Sequence, residues 1–468
     1  MIFNSLTYAA FLPLVLLAYW GFGKRRQNLV LLVASYIFYG WWDWRFLSLL
    51  MLSTVVDFTI GQAMHGSDVD EHRKRLLFLS LAVNLGLLGV FKYFNFFVDS
   101  AVDALSAAGV SANAPSLRLI LPVGISFYTF QTLSYTFDIY RRRLEPTRSL
   151  LNFATYVAFF PQLVAGPIER AHQLLPQIVA PRERPGLDRV QSGLTLIAFG
   201  LFKKVVIADM VAPIANRNFD NAEVVGGSAT VVGIIAFSLQ IYGDFSGYTD
   251  IARGTSRLLN IELMRNFEQP YLSRNITEFW RRWHISLSSW LRDYLYIPLG
   301  GNRNGTFNTY RNLLITMLLG GLWHGAGWNF VIWGALHGGA LAIHRALGGK
   351  SDDGPIRLTD IPRIGVTLLF VAFAWVFFRA ESFSQALTVI EHATWFLWSG
   401  PEFSFDFLTV AAAGVLVLVT DLWQRFERDR EVAAGKVPVM SGAMVGVAAV
   451  AIAIFSGGES APFIYFQF

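Results

Sequence analysis

The residue best suited to chemistry in this sequence is His324, which lies in the glycine-rich stretch Gly-Gly-Leu-Trp-His-Gly-Ala-Gly at positions 320–327. Apolar runs flank this stretch on both sides, which predicts a histidine at membrane depth. Imidazole exchanges a proton near neutral pH, so it can act as a general base that activates a hydroxyl. The structural alternative is a histidine satisfied by a neighbouring carbonyl, with Trp323 and Trp328 as packing. The glycines and the predicted depth favour function.

A second candidate, His284, lies in an aromatic segment at positions 278–295. At helical spacing this segment has one apolar face, formed by Phe279, Trp283, Leu287, Trp290, Leu291 and Tyr294. The pattern predicts an amphipathic helix at the membrane interface, with its tryptophans at headgroup level. Most of its residues can be explained by contact with lipid alone. His284 lies at the margin of the apolar face and could point toward the cavity of His324, and spacing alone leaves this open.

Further polar side chains lie near the ends of apolar runs. Asp244 could orient a histidine or hold a hydroxyl, whereas Asp250 is better explained by a structural ion pair with Arg253. Lys203 and Lys204 fall within an apolar run, where they could extend to an interface or meet a phosphate, and the sequence does not decide between these. We expect substrate contacts from the polar and aromatic side chains around the two histidines, namely Asp244, Tyr242, Trp283, Trp323, Arg281 and Arg282.

Metal and nucleotide cofactors have no recognisable motif here. His337 and His344 are seven residues apart, which differs from the i, i+4 spacing typical of zinc sites. No Walker loop, dinucleotide fingerprint or Gly-x-Ser-x-Gly elbow occurs. The chain has no cysteine, which excludes a cysteine nucleophile or an acyl-cysteine intermediate on this chain. We therefore expect no bound cofactor and no metal.

The elements that position these residues must be membrane helices. Hydrophobic residues make up 54% of the 468 positions and charged residues 15%, with a mean hydropathy of +0.43. Soluble proteins are about 25% charged, so this chain has too few polar residues for a water-facing surface of its size. The net charge of +5 suits cytoplasmic loops that face anionic lipid and does not indicate nucleic acid. One helical membrane domain over 1–468 is the prediction, with an interfacial cytoplasmic segment at 251–311.

Apolar runs predict an all-α polytopic bundle with about eleven spanning helices, besides re-entrant and interfacial ones. The predicted helices are 6–22, 28–40, 46–63, 76–98, 119–139, 150–165, 190–214, 229–249, 311–323, 327–346, 363–379, 385–398, 406–424 and 438–456. Residues 6–22 are predicted to be a retained helix and not a cleaved signal peptide. Basic clusters place both termini outside the cytoplasm. Helices 311–323 and 327–346 then form a hairpin whose short first arm, about 18 Å long, ends inside the bilayer.

The sequence resembles the membrane-bound O-acyltransferases. The stretch Trp280-Arg-Arg-Trp-His284, with the following Ile-Ser-Leu-Ser, and the stretch Gly321-Leu-Trp-His-Gly325 resemble the paired histidine signature of that family. The similarity is greatest to the bacterial branch that acetylates exopolysaccharides such as alginate, and it also covers residues 1–5, 161–170, 242–252 and 463–468. It therefore extends over essentially the whole chain.

The resemblance implies a bundle around a central catalytic tunnel, in which His324 is the invariant histidine and His284 the second polar position. It implies acetyl-CoA as the donor on the cytoplasmic side of the bacterial inner membrane, which a multi-pass chain would cross. The acceptor would be a periplasmic hydroxyl, on a partner acetyltransferase, a polysaccharide-synthesis protein or the sugar chain. Two other classes stay open from the residues alone: a proton-coupled transporter or channel with His324 lining its path, and a scaffold that anchors an exopolysaccharide complex.

Overall fold

The computed structural model describes residues 1–23, 26–111, 117, 119–164, 166–349, 354, 356–399, 404–433, 438–455 and 463–464. In these residues the secondary structure is helical, without a β-strand. The all-α membrane architecture expected from the sequence is confirmed. Lys24, Arg25 and residues 350–353 and 434–437, which follow predicted helices, lie outside the described residues, as do residues 465–468 of the stretch 463–468 that carries part of the resemblance.

The chain divides into two compact units, one formed by residues 1–194 and 252–264, the other by 195–251 and 265–468. The first unit contains α1 (Leu6–Gly21), α2 (Gln27–Asp43), α3 (Leu47–His65), α4 (Asp70–Leu88), α5 (Phe94–Ala107), α6 (Ile125–Tyr140), α7 (Leu150–Ala158), α8 (Phe160–Leu163), α9 (Ala171–Val179) and the start of α10 (Leu187–Leu201). The second contains the end of α10 and α11 (Asp209–Asp220), most of α12 (Gly227–Leu258), α13 (Ile276–Arg282), α14 (Ile285–Leu291), α15 (Gly305–His324), α16 (Trp328–Ala346), α17 (Ile361–Arg379), α18 (Phe383–Ser399), α19 (Phe405–Ala433) and α20 (Pro438–Phe455).

The core of the first unit surrounds α6, which is buried on all sides against α3, α4, α7 and α9. A buried carboxylate is held there by hydrogen bonds: the Ser80 hydroxyl donates to Asp57 Oδ1 at 2.6 Å, and Asn84 Nδ2 donates to Asp57 Oδ2 at 2.8 Å. Buried polar groups that are satisfied in this way fix the packing of neighbouring helices, because any other arrangement leaves them without partners. The polar residues of α3 and α4 therefore have a structural explanation.

The α15–α16 hairpin of the second unit depends on glycine. A Cβ on Gly321 would lie 2.1 Å from the carbonyl oxygen of Phe330, and a Cβ on Gly334 would lie 2.3 Å from that of Met317. Real Cβ atoms do not approach a carbonyl so closely, so only glycine permits these two backbones to touch. Close backbone contact is the usual way to pack membrane helices, since lipid provides no hydrophobic driving force between them. The hairpin thus presents His324, at the end of α15, in a fixed position.

The length of α15 differs from the sequence prediction. Its first arm was expected to begin at residue 311, but the helix begins at Gly305 and has 20 residues. At 1.5 Å per residue it rises about 30 Å, which is the thickness of a bilayer core. The prediction that a short first arm places the tip of the hairpin inside the bilayer is therefore wrong. Hydropathy placed the start of the helix too late because its first turns contain the polar residues Asn308, Thr309 and Arg311.

Five helical stretches among the described residues are long and apolar enough to cross a membrane, at Gln27–His65, Asp70–Ala107, Gly227–Leu258, Leu358–Arg379 and Phe405–Arg425. Two of them, with 39 and 38 residues, join successive helices through a short 3-10 or π-helical turn. The larger number of about eleven spanning helices stays a prediction.

Residues 251–291, the larger part of the segment predicted to be interfacial and cytoplasmic, pack against the rest of the protein, and the location of the segment stays a prediction. Arg281 is the only exposed residue between Ile251 and Leu291, all of which the structure describes. The polar residues of this segment bond to each other inside the protein, as in the pair of Arg274 and Glu278 at 3.0 Å. A composition rich in Arg, Asn and Trp is compatible with the membrane interface and with the protein interior, so composition could not distinguish these two locations.

Candidate active site

His324 is the last residue of α15, and its side chain is 3% exposed. Its ring is surrounded by other rings: the centroid lies 5.0 Å from that of Trp323, 5.1 Å from Trp333 and 5.2 Å from Phe378, each in an edge-on arrangement. The helix stops here because Gly325 is extended, with φ −154° and ψ 148°. A Cβ at position 325 would also collide with the Phe330 ring at 2.0 Å. The histidine predicted to be functional therefore lies in an aromatic pocket at a helix end.

His284 lies at a break between two short helices. The segment was predicted to form one continuous amphipathic helix, but α13 ends at Arg282 and α14 begins at Ile285. His284 occupies the left-handed region with φ 42° and ψ 54°, which costs a residue other than glycine about 1–3 kcal/mol. The continuous helix is therefore wrong, because a strained turn without glycine or proline has no signal in the sequence. The turn directs His284 into the protein, where it is fully buried.

Asn266 holds the turn at His284 from both sides. Its backbone carbonyl accepts the N–H of Ile285 at 2.9 Å, and its Oδ1 accepts the backbone N–H of Ser286 at 3.2 Å. The His284 Nδ1 lies 3.0 Å from the same Oδ1. An atom that accepts a backbone N–H must be the oxygen of the amide, so His284 Nδ1 must carry the proton. The basic lone pair of the ring is then on Nε2.

Burial lowers the pKa of His284 to about 3. Charged imidazolium is poorly solvated away from water, and burial is the cause of this shift. The side chain is therefore neutral at physiological pH. Its ring packs edge-on against Phe245 at 4.7 Å between centroids.

The rings of the two histidines lie close together, a relationship that sequence spacing alone left open. Their ring centroids are 6.1 Å apart, and the Trp323 ring lies beside both, 5.8 Å from His284 and 5.0 Å from His324. Forty residues of sequence separate these side chains, and the end of α15 brings them together with the α13–α14 break. A site of two neighbouring imidazoles within aromatic walls can move a proton in a water-poor environment.

Trp283 precedes His284 and is fully buried, although the sequence predicted tryptophans at headgroup level. Its ring stacks on Phe279 at 5.6 Å and on Tyr271 at 6.0 Å, and it lies 5.1 Å from Trp375. Here the interfacial interpretation is wrong, because an aromatic face at helical spacing suits a protein core as well as lipid. Trp283 packs beneath the turn, whereas Trp323 lines the histidine pair.

Asp244 and Tyr242, both expected to bind substrate, have partners within the protein. Asp244 Oδ1 lies 3.0 Å from Lys204 Nζ, and Asp244 Oδ2 accepts the backbone N–H of Ile464 at 2.7 Å. The hydroxyl of Tyr242 donates to Asp421 Oδ1 at 2.6 Å. These contacts give both residues a structural role in the second unit, and their contact with substrate stays a prediction.

The two lysines that the sequence could not assign are buried in ion pairs. Lys203 Nζ lies 2.7 Å from Asp250 Oδ2, and Lys204 Nζ lies 2.7 Å from Asp209 Oδ1. Both lysines lie in a π-helical turn, Phe202–Ala208, in which successive residues are buried. Asp250 thus pairs with Lys203, whereas Arg253, its expected partner, lies 3.7 Å from Glu262.

Arg281 and Arg282 lie at the end of α13 and have different surroundings. Arg282 is held by Glu278 Oε1 at 2.7 Å and by the carbonyl oxygen of Glu268 at 3.3 Å. Arg281 is exposed. Of the two, Arg281 is the side chain that can reach a charged molecule in solution, and a contact of either with substrate stays a prediction.

Further residues contact the two histidines without any signal in the sequence. Asn266, Trp333 and Phe378 contact the two histidines, and no motif marks them. His337 is fully buried, and its Nδ1 accepts the indole N–H of Trp280 at 3.2 Å. Its ring is 4.7 Å from that of Trp333, which separates it from His324. Within the described ranges, no three His, Asp or Glu side chains are grouped as metal ligands.

Comparison with known proteins gives a family and several bacterial relatives. The sequence pattern of the membrane-bound O-acyltransferase family matches residues 36–383. The chain is 47% identical over 388 residues to the probable alginate O-acetylase AlgI of Pseudomonas putida, covering 82% of this chain and 79% of the relative. It is 44% identical over 421 residues to the protein of the same name from Pseudomonas aeruginosa, covering 89% and 80%. The peptidoglycan O-acetyltransferase of Helicobacter pylori is 38% identical over 422 residues, covering 84% and 79%.

Proposed function

The chain belongs to the membrane-bound O-acyltransferase family, and from this premise we propose that it transfers acetyl from cytoplasmic acetyl-CoA to a hydroxyl across the bacterial inner membrane. The product would be an O-acetylated exopolysaccharide such as alginate, made directly or through a periplasmic partner protein. Similarity to alginate and peptidoglycan O-acetylating proteins supports this acyl group and this class of acceptor. The family membership disfavours the transporter and scaffold alternatives.

The observation that carries the mechanism is the 6.1 Å separation of the His284 and His324 rings. His324 acts as the general base and removes the proton from the acceptor hydroxyl. The oxygen attacks the carbonyl carbon of the thioester, and the C–S bond breaks when the tetrahedral intermediate collapses. The proton held by His324 goes to the departing sulfur, so the histidine is regenerated and free CoA leaves.

The tautomer of His284 limits its role. Because Nδ1–H is directed to Asn266, the ring presents a lone pair on Nε2 and has no second N–H. It can therefore accept a hydrogen bond from a hydroxyl, but it cannot donate one to a carbonyl oxygen while neutral. This supports positioning of the acceptor hydroxyl over polarisation of the thioester. The fixed turn keeps that lone pair in place without a reorganisation step.

The test is transfer of radiolabel from acetyl-CoA to exported polysaccharide in membranes. The native chain is compared with His324→Ala, and with His72→Ala as a control, since His72 is exposed. We expect His324→Ala to lose transfer by about 10²–10⁴-fold at matched protein level, which is the usual contribution of a general base. His72→Ala should keep it. Full transfer by a folded His324→Ala protein would contradict the proposal.

A further inference from the structure

A cavity of about 470 Å³ lies at the tip of the α15–α16 hairpin, and none of the functions above uses it. Its walls come from residues 326–330, at the start of α16, and from residues 378–383, which run from the end of α17 to the start of α18. The volume falls within the range of small-molecule sites, about 300–1,000 Å³. We refer to it as the tip pocket.

The tip pocket shares a wall with the histidine pair. Phe378 lines the pocket, and its ring centroid is 5.2 Å from that of His324. The Phe330 ring, which also lines the pocket, packs edge-on against Phe378 at 5.0 Å. One phenyl ring thus separates a molecule in the pocket from the proposed base.

Asn329 provides the tip pocket with a hydrogen-bond acceptor. Its Nδ2 donates to the carbonyl oxygen of Ala380 at 2.8 Å, so the orientation of the amide is fixed. The residue is 6% exposed, and its Oδ1 has no hydrogen-bond partner among the described residues. A buried acceptor without a donor is unfavourable, so it is normally matched by water or a ligand. A ligand hydroxyl is a donor that would match it.

Two further side chains indicate what kind of hydroxyl compound fits. Trp328 lines the pocket with its side chain 59% exposed, which provides a flat apolar surface next to the polar Asn329. An aromatic face beside a hydrogen-bond acceptor suits a sugar ring, which has an apolar face and a hydroxyl-bearing edge. Arg379 is already held by Asp220 Oδ1 at 3.2 Å and by Asn216 Oδ1 at 3.1 Å. Its charge is therefore offset, which makes a phosphate a poorer fit.

We infer that the tip pocket binds a sugar residue of the acceptor, with a sugar hydroxyl donating to Asn329 Oδ1 and the ring face lying on Trp328. This rests on the proposed function, since it names the acceptor subsite of the same centre.

The experiment measures sugar binding to the full chain in lipid nanodiscs by saturation-transfer NMR, without acetyl-CoA. The probes are cellohexaose, which is uncharged, and a hexamer of mannuronate. Trp328→Ala should weaken binding of both about tenfold or more, whereas Trp44→Ala, at another exposed tryptophan, should not. Asn329→Leu should also weaken binding, and Trp328→Ala keeps the test valid if Asn329→Leu fails to fold.

Absence of binding by both hexamers, or unchanged affinity in Trp328→Ala and Asn329→Leu, would overturn the inference. The outcome is separate from the proposed function, because His324→Ala should bind the hexamers like the native chain while transfer is lost. Sugar binding with transfer retained in His324→Ala would refute the proposed base and leave the sugar site standing.

Discussion

The amide oxygen of Asn266 lies 3.0 Å from Nδ1 of His284, and the same oxygen accepts the backbone N–H of Ser286. One side chain therefore fixes the tautomer of the imidazole and the strained turn that carries it. This dual role makes Asn266 the residue through which the geometry of the histidine pair can be altered without removing either histidine.

We expect Asn266→Leu to lower acetyl transfer about 10–100-fold, the usual effect of losing a residue that orients a functional histidine. The reason is that His284 Nδ1 loses its acceptor, so the ring can rotate and exchange its tautomer. Label transfer from acetyl-CoA, normalised to folded protein, measures this. Asn266→Asp keeps an oxygen at this position and should retain more transfer than Asn266→Leu. Equal transfer by both variants would contradict the positioning role.

His284→Ala should reduce transfer while acetyl-CoA still binds. His284 is proposed to position the acceptor hydroxyl, so its loss affects the chemical step and not the affinity for the donor. The measurement is the dissociation constant of acetyl-CoA together with the transfer rate. A rate reduced about tenfold or more with donor affinity unchanged within about twofold is the expected result. A large loss of donor affinity would instead assign His284 to the donor site.

Lys204→Met should strongly destabilise the protein. Lys204 is buried between Asp209 and Asp244, at 2.7 and 3.0 Å, and removing the cation leaves two uncompensated carboxylates. Such a change costs about 3–5 kcal/mol. Thermal unfolding of the purified protein in detergent measures it. Arg75→Ala, which breaks an exposed pair with Glu71, is the control and should cost less than about 1 kcal/mol. A similar melting temperature for both variants would refute the burial argument.

Gly334→Ala should separate the arms of the hairpin. The added Cβ would lie 2.3 Å from the Met317 carbonyl oxygen, so backbone must move, at a cost of about 1–3 kcal/mol. Gly339→Ala, on the same helix with no atom within 4 Å of its added Cβ, should be neutral or stabilise by up to about 1 kcal/mol. Unfolding temperature and transfer activity of the pair test this. Gly334→Ala without loss of stability would show that the arms can separate freely.

Much of the architecture was readable from the sequence. Apolar runs located most long helices within a few residues, because a membrane helix needs a continuous apolar stretch. The glycine-rich motif at His324 also indicated a site. In contrast, hydropathy could not show that α15 starts in a polar stretch at Gly305, nor that α9, α13 and α14 exist as separate short helices.

The detailed site could not be predicted for a different reason. Asn266 acts on His284 through a contact between loops, and no local pattern encodes a partner at that distance. The buried pairs of Lys203 and Lys204 depend likewise on helices that meet only in the folded chain. The aromatic face at Phe279 and Trp283 was expected at the membrane interface and is buried in the protein, because a periodic pattern cannot say whether protein or lipid covers it.

The first helix is bonded to residues that are made much later. Within the first unit, the Tyr8 hydroxyl is 2.7 Å from the Thr255 hydroxyl, and the Tyr19 hydroxyl donates to the Leu259 carbonyl at 3.1 Å, across 240 positions of sequence. At roughly 5–20 residues per second, a ribosome needs about 10–50 s to close that gap. During this time the hydroxyls of Tyr8 and Tyr19 on α1 lack these two partners. The contacts of α1 with Thr255 and Leu259 can therefore form only after more than half of the chain has been made.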